Sequence, residues 1–230
     1  MDVLVIDIGG SSVKLWHTSH QEHRKFDSGK DLTPDAMVEM TKQTIAEWTF
    51  DAVALGMPSR VSQGRVVEDP KNLGPGWAGY NFAAAFGQPV RILNDASLQA
   101  LGSYDGGRML FLGLGTAVGS ALVADKLLLS LDLGRIRVGE ERAWELLGDK
   151  GFERLGVKKW QRIVHDLVPM LQHSVMAEYT VLGGGNVKEI EELPDGVRRG
   201  HNRTVVEGGR RLWEELPDPA LKSSSDWTIL

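Results

Sequence analysis

The chain has 230 residues, a mass of 25.3 kDa and a formal net charge of −5. Its content of 42% hydrophobic and 25% charged residues is that of an ordinary globular protein, which excludes a disordered, collagen-like or coiled-coil chain. The acidic balance argues against a nucleic-acid-binding protein, and the absence of cysteine excludes disulfides, thiol nucleophiles and zinc sites built on cysteine.

Two further features of the sequence bear on its location in the cell. No apolar stretch reaches the length of about 18 residues that a transmembrane helix needs. The apolar run at 3–8 follows the first residue almost at once, without the basic leader of a signal peptide. We therefore expect a cytoplasmic protein that binds neither membranes nor nucleic acid.

Apolar runs that end in glycine open the first half of the chain. Residues 3–8 form a β-branched run that stops at Gly9-Gly10, which predicts a buried strand. Residues 12–18 alternate between apolar and polar side chains, so a second strand is expected after a tight turn. Thr33-Pro34-Asp35 is typical of a helix start and predicts a helix to about Trp48. The remaining predicted elements of this half are a strand at 52–57, a loop at 58–79 with a strand near 65–68, a strand at 90–93 and a short helix from there through Leu101.

The second half repeats this order of elements. An apolar strand at 109–114 ends in Gly115-Thr116, and another strand is expected at 118–124. Pro169 should kink or divide the second of two predicted helices. The other elements predicted here are those two helices at 141–147 and 158–178, a strand at 179–182 before a triple-glycine segment, and a helix at 204–215.

The similarity of the two halves predicts two lobes. Residues 5–13 can be aligned with 111–119, and each segment has the pattern of a strand, a glycine–hydroxyl turn and a strand. Asp105-Gly106-Gly107 interrupts the pattern, so the lobes are expected at 1–105 and 106–230. Two α/β lobes of this kind would each present a glycine turn to a shared cleft.

The glycine turns are candidate phosphate-binding sites. At Gly9-Gly10-Ser11-Ser12, backbone N–H groups can approach a phosphate without interference from Cβ atoms. Asp7, at the end of the preceding strand, could hold Mg²⁺ through water because hard cations prefer oxygen ligands. Gly115-Thr116 and 183–185 are similar junctions, and the latter suits an adenosine or phosphate contact. The alternative for each is a plain turn between two elements.

Asn94 and Asp95 lie where a predicted strand gives way to a helix. A carboxylate in that position points into the cleft, where it could accept the proton of a hydroxyl nucleophile. Alternatively, Asp95 simply caps the helix. These two residues alone leave both interpretations open.

Two groups of basic residues also have competing interpretations. His17, His20 and His23 recur every three residues, but the polar residues around them favour a solvated hairpin tip over a metal site. The arginines between 198 and 211 could form a positive surface for a polyanion such as polyphosphate, or a solvated helix face. These arginines are Arg198, Arg199, Arg203, Arg210 and Arg211.

Several motifs, taken in their order along the chain, resemble one protein family. They are Asp-Ile-Gly-Gly-Ser at 7–11 with Lys14, Gly-Met-Pro at 56–58, Asn72-Leu73 with Trp77, Leu-Asn-Asp-Ala at 93–96, Leu-Gly-Leu-Gly-Thr at 112–116 and Gly-Gly-Gly at 183–185. This order resembles the ROK sugar kinases of the actin–hexokinase superfamily, and in particular the short glucokinases and polyphosphate glucokinases. The resemblance covers about residues 2–190. It implies an α/β fold with two ribonuclease-H-like, actin-like ATPase lobes around a central cleft.

The resemblance also implies an activity, which is phosphoryl transfer from ATP or polyphosphate to a sugar hydroxyl with Mg²⁺. Asp95 would be the general base, and Asp7 would position the metal ion. Asn72 and Asn94 would contact the sugar. The phosphodonor would be surrounded by Gly9, Gly10, Ser11, Lys14, Gly115 and Thr116, with Gly184 against the nucleoside. Positioning and charge neutralisation of this kind are what phosphoryl transfer requires.

The chain departs from the family pattern in ways that affect its expected chemistry. Many ROK proteins carry a cysteine-rich zinc motif, which is missing here, so no zinc is expected. ROK repressors begin with a DNA-binding helix-turn-helix, whereas this chain begins at the first strand, so a DNA-binding regulator is not expected. The family's Glu-Leu-Gly-His segment appears here as Asp132-Leu133-Gly134-Arg135.

That last departure concerns substrate choice. Arginine only donates hydrogen bonds and is always charged, so Asp132 and Arg135 are expected to bind the sugar differently from ordinary glucokinases. A competing interpretation is that the two residues pair with each other and merely close the site. Because Asp7 and Asp95 are both present, we expect an enzyme. A homodimer is the expected assembly. The alternative is a non-catalytic relative that binds a sugar or a nucleotide.

Overall fold

The first of two main sheets lies in the amino-terminal half of the chain. The computed structural model describes residues 1–20, 22–124, 127–201 and 204–215, and the backbone of 228–229. The strands of this half are β1 (Val3–Ile8), β2 (Ser12–His17), β3 (His23–Asp27), β4 (Ala52–Met57), β5 (Val61–Ser62), β6 (Arg65–Val66) and β7 (Val90–Asn94). The first sheet has the order β3-β2-β1-β4-β7, and β5 and β6 form a separate hairpin. Because β1, β4 and β7 run parallel, their carboxyl ends meet at one edge.

The second sheet repeats the arrangement of the first. The strands of this half are β8 (Arg108–Leu114), β9 (Val118–Ala124), β10 (Leu127–Leu131), β11 (Arg137–Val138), β12 (Glu141–Arg142), β13 (Tyr179–Gly183), β14 (Val197–Arg199) and β15 (Thr228–Ile229). The second sheet has the order β14-β13-β8-β9-β10-β15, and β11 and β12 form a small hairpin. In both sheets an antiparallel hairpin is followed by a parallel neighbour of its first strand, β4 beside β1 and β13 beside β8. The predicted repeat of a strand, a glycine turn and a strand is thus present in the fold.

Helices cover and separate the sheets. They are α1 (Pro34–Thr44), α2 (Phe82–Phe86), α3 (Asp95–Ser103), α4 (Ala143–Leu147), α5 (Asp149–Leu155), α6 (Val157–Ser174) and α7 (Thr204–Glu214). Short 3₁₀ turns occupy Leu133–Arg135 and Gly185–Glu189. Among the helices that the structure describes, none is long and apolar enough to cross a membrane.

The predicted helices form with small changes in their ends. Thr33 caps α1 as expected, with its hydroxyl accepting the N–H of Ala36 at 3.3 Å, but the helix ends at Thr44. Of the two effects expected of Pro169, a kink or a division of the helix, the division does not occur, because α6 is a single helix over Val157–Ser174. Its buried face, which includes Trp160, Val164 and Leu171, offsets the one backbone hydrogen bond that proline removes.

Helix α3 packs against both sheets and crosses α7 closely. A Cβ atom added at Gly102 of α3 would lie 1.7 Å from the carbonyl oxygen of Thr204. A Cβ atom at Gly208 of α7 would lie 2.0 Å from the carbonyl oxygen of Leu98. Since both neighbours are backbone atoms, only glycine allows the two helices to approach this closely. Helix α7 also packs on β1 and β4, so the last described helix returns to the first sheet.

Candidate active site

Two acidic residues lie at the carboxyl edge of the first sheet. They lie on either side of β4, which is the middle one of the three parallel strands. Asp7 lies near the end of β1, opposite Gly56 of β4, and Asp95 directly follows β7. A Cβ atom added at Gly56 would lie 3.4 Å from Oδ1 of Asp7 and 3.5 Å from Cα of Asp95. The absence of a side chain at Gly56 therefore keeps open the space between the two acids.

The electrostatics of this pair are unusual for aspartates. Burial raises the pKa of Asp7 to about 6, while the ammonium of Lys14 opposes the shift. Burial, together with the negative charge of Asp7, raises the pKa of Asp95 to about 7. Lys14 lies opposite Asp7 in the β1–β2 hairpin. The buried carboxylate of Asp7 and the half-buried carboxylate of Asp95 form an electron-rich site that favours a bound cation.

The donor set of this pair fits Mg²⁺. Magnesium ions in proteins are commonly held by one or two carboxylates and keep several waters or substrate phosphates as further ligands. Asp7 and Asp95 offer only oxygen donors, as this ion prefers. In the part of the chain that the structure describes, no group of three or more metal-ligating side chains is found.

Asn94 caps α3, and this answers the alternative raised for Asp95. The side-chain oxygen of Asn94 accepts the N–H groups of Ala96 at 3.0 Å and Ser97 at 3.4 Å. Its amide nitrogen donates to the carbonyl oxygens of Met57 at 3.4 Å and Ser59 at 3.3 Å. Asp95 is the first residue of the helix and accepts from the N–H of Ala96 at 2.8 Å. Asn94 therefore joins the ends of β4 and β7 and fixes the direction in which α3 leaves the sheet.

The first glycine turn lies beside the acidic pair and the loop that carries Asn72. The N–H of Gly9 donates to the carbonyl oxygen of Ser12 at 2.9 Å. The hydroxyl of Ser28 donates to the carbonyl oxygen of Gly9 at 2.6 Å. A Cβ atom at Gly10 would lie 3.7 Å from the amide nitrogen of Asn72. The structure thus brings Asp7, the first turn and Asn72 together, and Ser11 and Asn72 are both exposed.

The other two glycine turns adjoin each other at the edge of the second sheet. Gly115 and Thr116 join β8 to β9, and Gly184 follows β13, the parallel neighbour of β8. Gly184 has a φ of +92°, and a Cβ atom there would lie 2.4 Å from the carbonyl oxygen of Leu114. In β9, a Cβ atom at Gly119 would lie 2.8 Å from Cβ of Ala96. The hairpin that carries the second turn therefore packs directly on the first turn of α3, next to Asp95.

Asp132 and Arg135 lie on an exposed 3₁₀ turn and pair with each other. Nε of Arg135 lies 2.6 Å from Oδ2 of Asp132, and both side chains are more than half exposed. The turn is held against β9, because the N–H of Leu133 donates to the hydroxyl of Ser120 at 3.0 Å. This is the contact that the competing interpretation of the two residues anticipates.

Asp69 organises the loop that carries Asn72, and the sequence analysis did not identify it. Its carboxylate accepts the N–H groups of Gly76 at 3.1 Å, Trp77 at 2.7 Å and Ala78 at 2.9 Å, which lowers the pKa of Asp69. Trp77 is fully buried and anchors the loop to the core. The available signal was an Asp-Pro pair at the start of a loop rich in glycine and proline.

Replacing Asp69 with alanine should loosen this loop. If Asn72 contacts a sugar, Asp69→Ala is expected to raise the KM for the sugar about tenfold, with a smaller change in kcat, because three bonds to a charged group are lost. Steady-state kinetics measure this, with Glu68→Ala, an exposed neighbour, as the control. An unchanged sugar KM in Asp69→Ala would contradict the positioning role.

The histidines and arginines do not form the sites that were considered. The hairpin-tip interpretation is wrong for His17, which is 1% exposed, with Nε2 2.8 Å from the carbonyl oxygen of Thr49. Arg210 pairs with Glu207, Glu214 and Glu215. Arg211 pairs with Glu207 and Glu215, Arg198 pairs with Asp105, and Arg199 donates to the carbonyl oxygens of Ile190 and Glu191, whereas Arg203 lies outside the described residues. Acidic neighbours thus neutralise the helical arginines, which weakens the hypothesis of a polyanion surface.

The paired hairpins and their parallel neighbours define an α/β fold of the actin-like ATPase class, with an acid at each of two strand ends. Within that class, the fold is that of the ROK-family sugar kinases. Neither a protein-family model nor a curated protein sequence matches the chain. The evidence for the fold is therefore similarity to solved structures.

Three of these structures illustrate the similarity. An inorganic polyphosphate/ATP-glucomannokinase from Arthrobacter sp. strain KM is 20% identical, with a TM-score of 0.77 over 90% of this chain and 96% of that chain. A ROK-family glucokinase from Streptomyces griseus, in complex with glucose and AMPPNP, is 15% identical, with a TM-score of 0.70 over 91% of this chain and 98% of that chain. A ROK-family transcriptional regulator, a homologue of the Escherichia coli MLC protein, is 15% identical, with a TM-score of 0.67 over 92% of this chain and 77% of that chain.

Proposed function

We propose that the protein is a carbohydrate kinase that transfers a phosphoryl group from ATP or polyphosphate to a hydroxyl of a hexose resembling glucose. The observation that carries the proposal is the pair of the buried Asp7 and the half-buried Asp95 beside the first glycine turn. An acid with a pKa of about 7 is suited to general-base catalysis near neutral pH. The solved structures of similar fold include two sugar kinases of the same reaction class, which supports the proposal.

In the proposed mechanism, each residue has a role that its position supports. Asp95 accepts the proton of the sugar hydroxyl as that oxygen attacks the terminal phosphorus. The bond from this phosphorus to the bridging oxygen breaks, and ADP or a polyphosphate shortened by one phosphate leaves. Asp7 would hold Mg²⁺, which when bound would neutralise charge on the phosphates. Backbone N–H groups of Gly10 and Ser11 in the first turn and of Thr116 in the second bind phosphate oxygens. The N–H groups of Gly9 and Gly115 bond within their own turns, so these glycines only surround the phosphates. Lys14 adds a positive charge, and Gly184 admits the nucleoside.

The remaining parts of the proposal concern the acceptor and the assembly. Asn72 and Asn94 bind sugar hydroxyls, and lobes of 1–105 and 106–230 enclose the cleft. A homodimer is proposed from the family resemblance, and light scattering on the purified protein would measure it.

A donor and acceptor screen tests the proposed function. The purified protein is incubated with Mg²⁺, a panel of neutral and acidic hexoses, and either ATP or polyphosphate, and sugar phosphate is measured directly. Formation of a sugar phosphate that depends on the protein and on Mg²⁺ is the expected result. Sugar binding by calorimetry without any turnover would favour the non-catalytic alternative, for which the exposed Asp132–Arg135 pair in place of an acid and a histidine is the supporting observation.

The pH dependence of the reaction follows from the raised pKa of Asp95. Only the ionised carboxylate can accept a proton, so kcat/KM for the sugar is expected to fall about tenfold for each pH unit below about 7 and to level off above it. An ordinary aspartate would place this limb near pH 4. A rate profile from pH 5 to 9 measures the limb, and a flat profile down to pH 5 would exclude Asp95 with its raised pKa as the base.

Substrate choice is tested by restoring the family's residues. The double change Asp132→Glu with Arg135→His is expected to raise kcat/KM on glucose about tenfold or more, because a site with unmatched polar groups penalises a substrate strongly. Each single change is the control, since each restores only one of the family's two residues. Ordinary glucose activity in the wild type, with no gain in the double variant, would show that this pair does not select the sugar.

A further inference from the structure

Asp149, the first residue of α5, joins the second and third glycine turns. Its Oδ2 accepts the hydroxyl of Thr116 at 3.0 Å, and its Oδ1 accepts the side-chain amide of Asn186 at 2.7 Å. Its backbone N–H donates to the carbonyl oxygen of Gly115 at 2.8 Å. One residue thus connects the turn between β8 and β9 with the segment that follows β13.

Backbone contacts around Asp149 hold the two turns close together. A Cβ atom added at Gly148 would lie 3.0 Å from the carbonyl oxygen of Gly115. On the other side, Gly184 approaches Leu114 so closely that a Cβ atom would lie 2.4 Å from its carbonyl oxygen. Because no side chain separates the segments, a ligand that spans both turns depends on the spacing that Asp149 sets.

Among the residues that the structure describes, no ion pair to the Asp149 carboxylate occurs, and the ammonium of the adjacent Lys150 lies over the ring of Trp144. Both of its carboxylate oxygens accept from neutral donors, which satisfy hydrogen bonding but leave the negative charge in place. A chain of phosphates lying across both turns would be repelled by this charge. A nucleoside triphosphate would place phosphates at the second turn and an uncharged nucleoside at the third.

We infer that Asp149 is a positioning residue that holds the Gly115–Thr116 turn and the 184–186 segment as one site for a nucleoside triphosphate. This arrangement selects a nucleoside triphosphate over polyphosphate as the phosphodonor. The inference rests on the proposed kinase function and specifies its donor.

The experiment compares the two donors in one variant. Calorimetry measures binding of a non-hydrolysable ATP analogue, and steady-state kinetics measure KM and kcat with ATP, with polyphosphate of defined length, and with the sugar. In Asp149→Ala, the dissociation constant of the analogue and the KM for ATP are expected to rise about tenfold or more, because hydrogen bonds to a charged group are lost. The ratio of polyphosphate to ATP activity should rise by the same factor or more, and the sugar KM should not change.

Two further variants separate positioning from a general loss of structure. Asn186→Ala removes only the hydrogen bond between Asp149 and the segment after the third turn. It should also weaken binding of the ATP analogue, while activity with polyphosphate stays unchanged. Glu153→Ala, an exposed acid on the same helix, is the matched control and should behave as the wild type. Thermal unfolding is measured for each variant. If Asp149→Ala does not fold, Asn186→Ala is used to test the inference.

The outcomes distinguish this inference from the proposed function. Unchanged affinity for the ATP analogue in both variants would overturn the inference. An equal rise in KM for ATP, polyphosphate and the sugar would also overturn it. A wild-type protein that uses polyphosphate but does not bind the analogue would overturn the inference but not the proposed kinase function. Conversely, analogue binding that Asp149→Ala abolishes, in a protein that phosphorylates no sugar, would support the nucleotide site and refute the kinase.

Discussion

The kcat of the Asp95→Asn variant is expected to be about 10²–10⁴-fold lower than that of the wild type. Asparagine keeps the shape of the side chain but cannot accept the proton of the sugar hydroxyl. The sugar KM should change much less, since the amide can still form hydrogen bonds. Single-turnover kinetics at pH 8 measure the effect on the chemical step. Asp166→Asn, an exposed acid on α6, is the matched control. Near-full turnover in Asp95→Asn would mean that Asp95 is not the base.

The same substitution is expected to stabilise the protein at alkaline pH. The pKa of Asp95 is about 7 in the folded protein, against an ordinary value of 3.8, so folding disfavours its ionised form. As pH rises from about 4 to 7, the unfolded chain releases this proton first, and the free energy of unfolding falls. Asp95→Asn removes that loss, on the order of 1–3 kcal/mol at pH 8 and close to zero at pH 4. Thermal unfolding at both pH values measures the difference, and a gain of equal size at pH 4 would contradict it.

Gly208→Ala is expected to destabilise the protein by about 3 kcal/mol or more, a large effect for the addition of one methyl group. The new Cβ atom would lie 2.0 Å from the carbonyl oxygen of Leu98, and neither backbone can yield without moving a helix. For a chain of this size the melting temperature should fall by roughly 6–12 °C. Differential scanning calorimetry measures the change.

The control for Gly208→Ala lies on the same helix. Val206→Ala affects a half-buried residue of α7 and should lower the melting temperature much less. If Gly208→Ala melts within about 1 °C of the wild type, the two helices do not cross as closely as the structure has them.

Local patterns predicted the part of the fold that carries the site. Apolar runs ending in glycine predicted β1, β8 and β13, and an apolar run that ends before Pro58 predicted β4. Strands buried on both faces are recognisable from such runs alone. The Asn94-Asp95 pair was found for the same reason, since a strand end followed by a helix start has a recognisable local pattern.

Elements without such patterns were missed. β3, with the sequence His-Arg-Lys-Phe-Asp, is a polar edge strand whose pairing with β2 depends on the neighbouring strand rather than on its own apolar residues. Helix α5 contains Gly151 and is only seven residues long, so it gives little periodicity.

Two positioning acids were missed because their partners lie far away in sequence or belong to the backbone. Asp149 bonds to side chains 33 and 37 residues distant, at positions 116 and 186. Asp69 bonds only to backbone N–H groups, so the residue types around it carry little information about its role. Contacts of this kind can be identified only when the folded structure is known.

The return of α7 to the first sheet has a consequence for synthesis on the ribosome. Val205 and Leu212 of this helix share one buried cluster with Val3, Val5 and Ala54. A nascent chain that ends before residue 204 therefore has an uncovered apolar face on its earliest strands. Because the contacts that cover this face span almost the whole sequence, their formation is slow and comes last. The earliest strands of the chain thus complete their burial only after α7 has been translated, and until then their apolar face is open to contact with other chains.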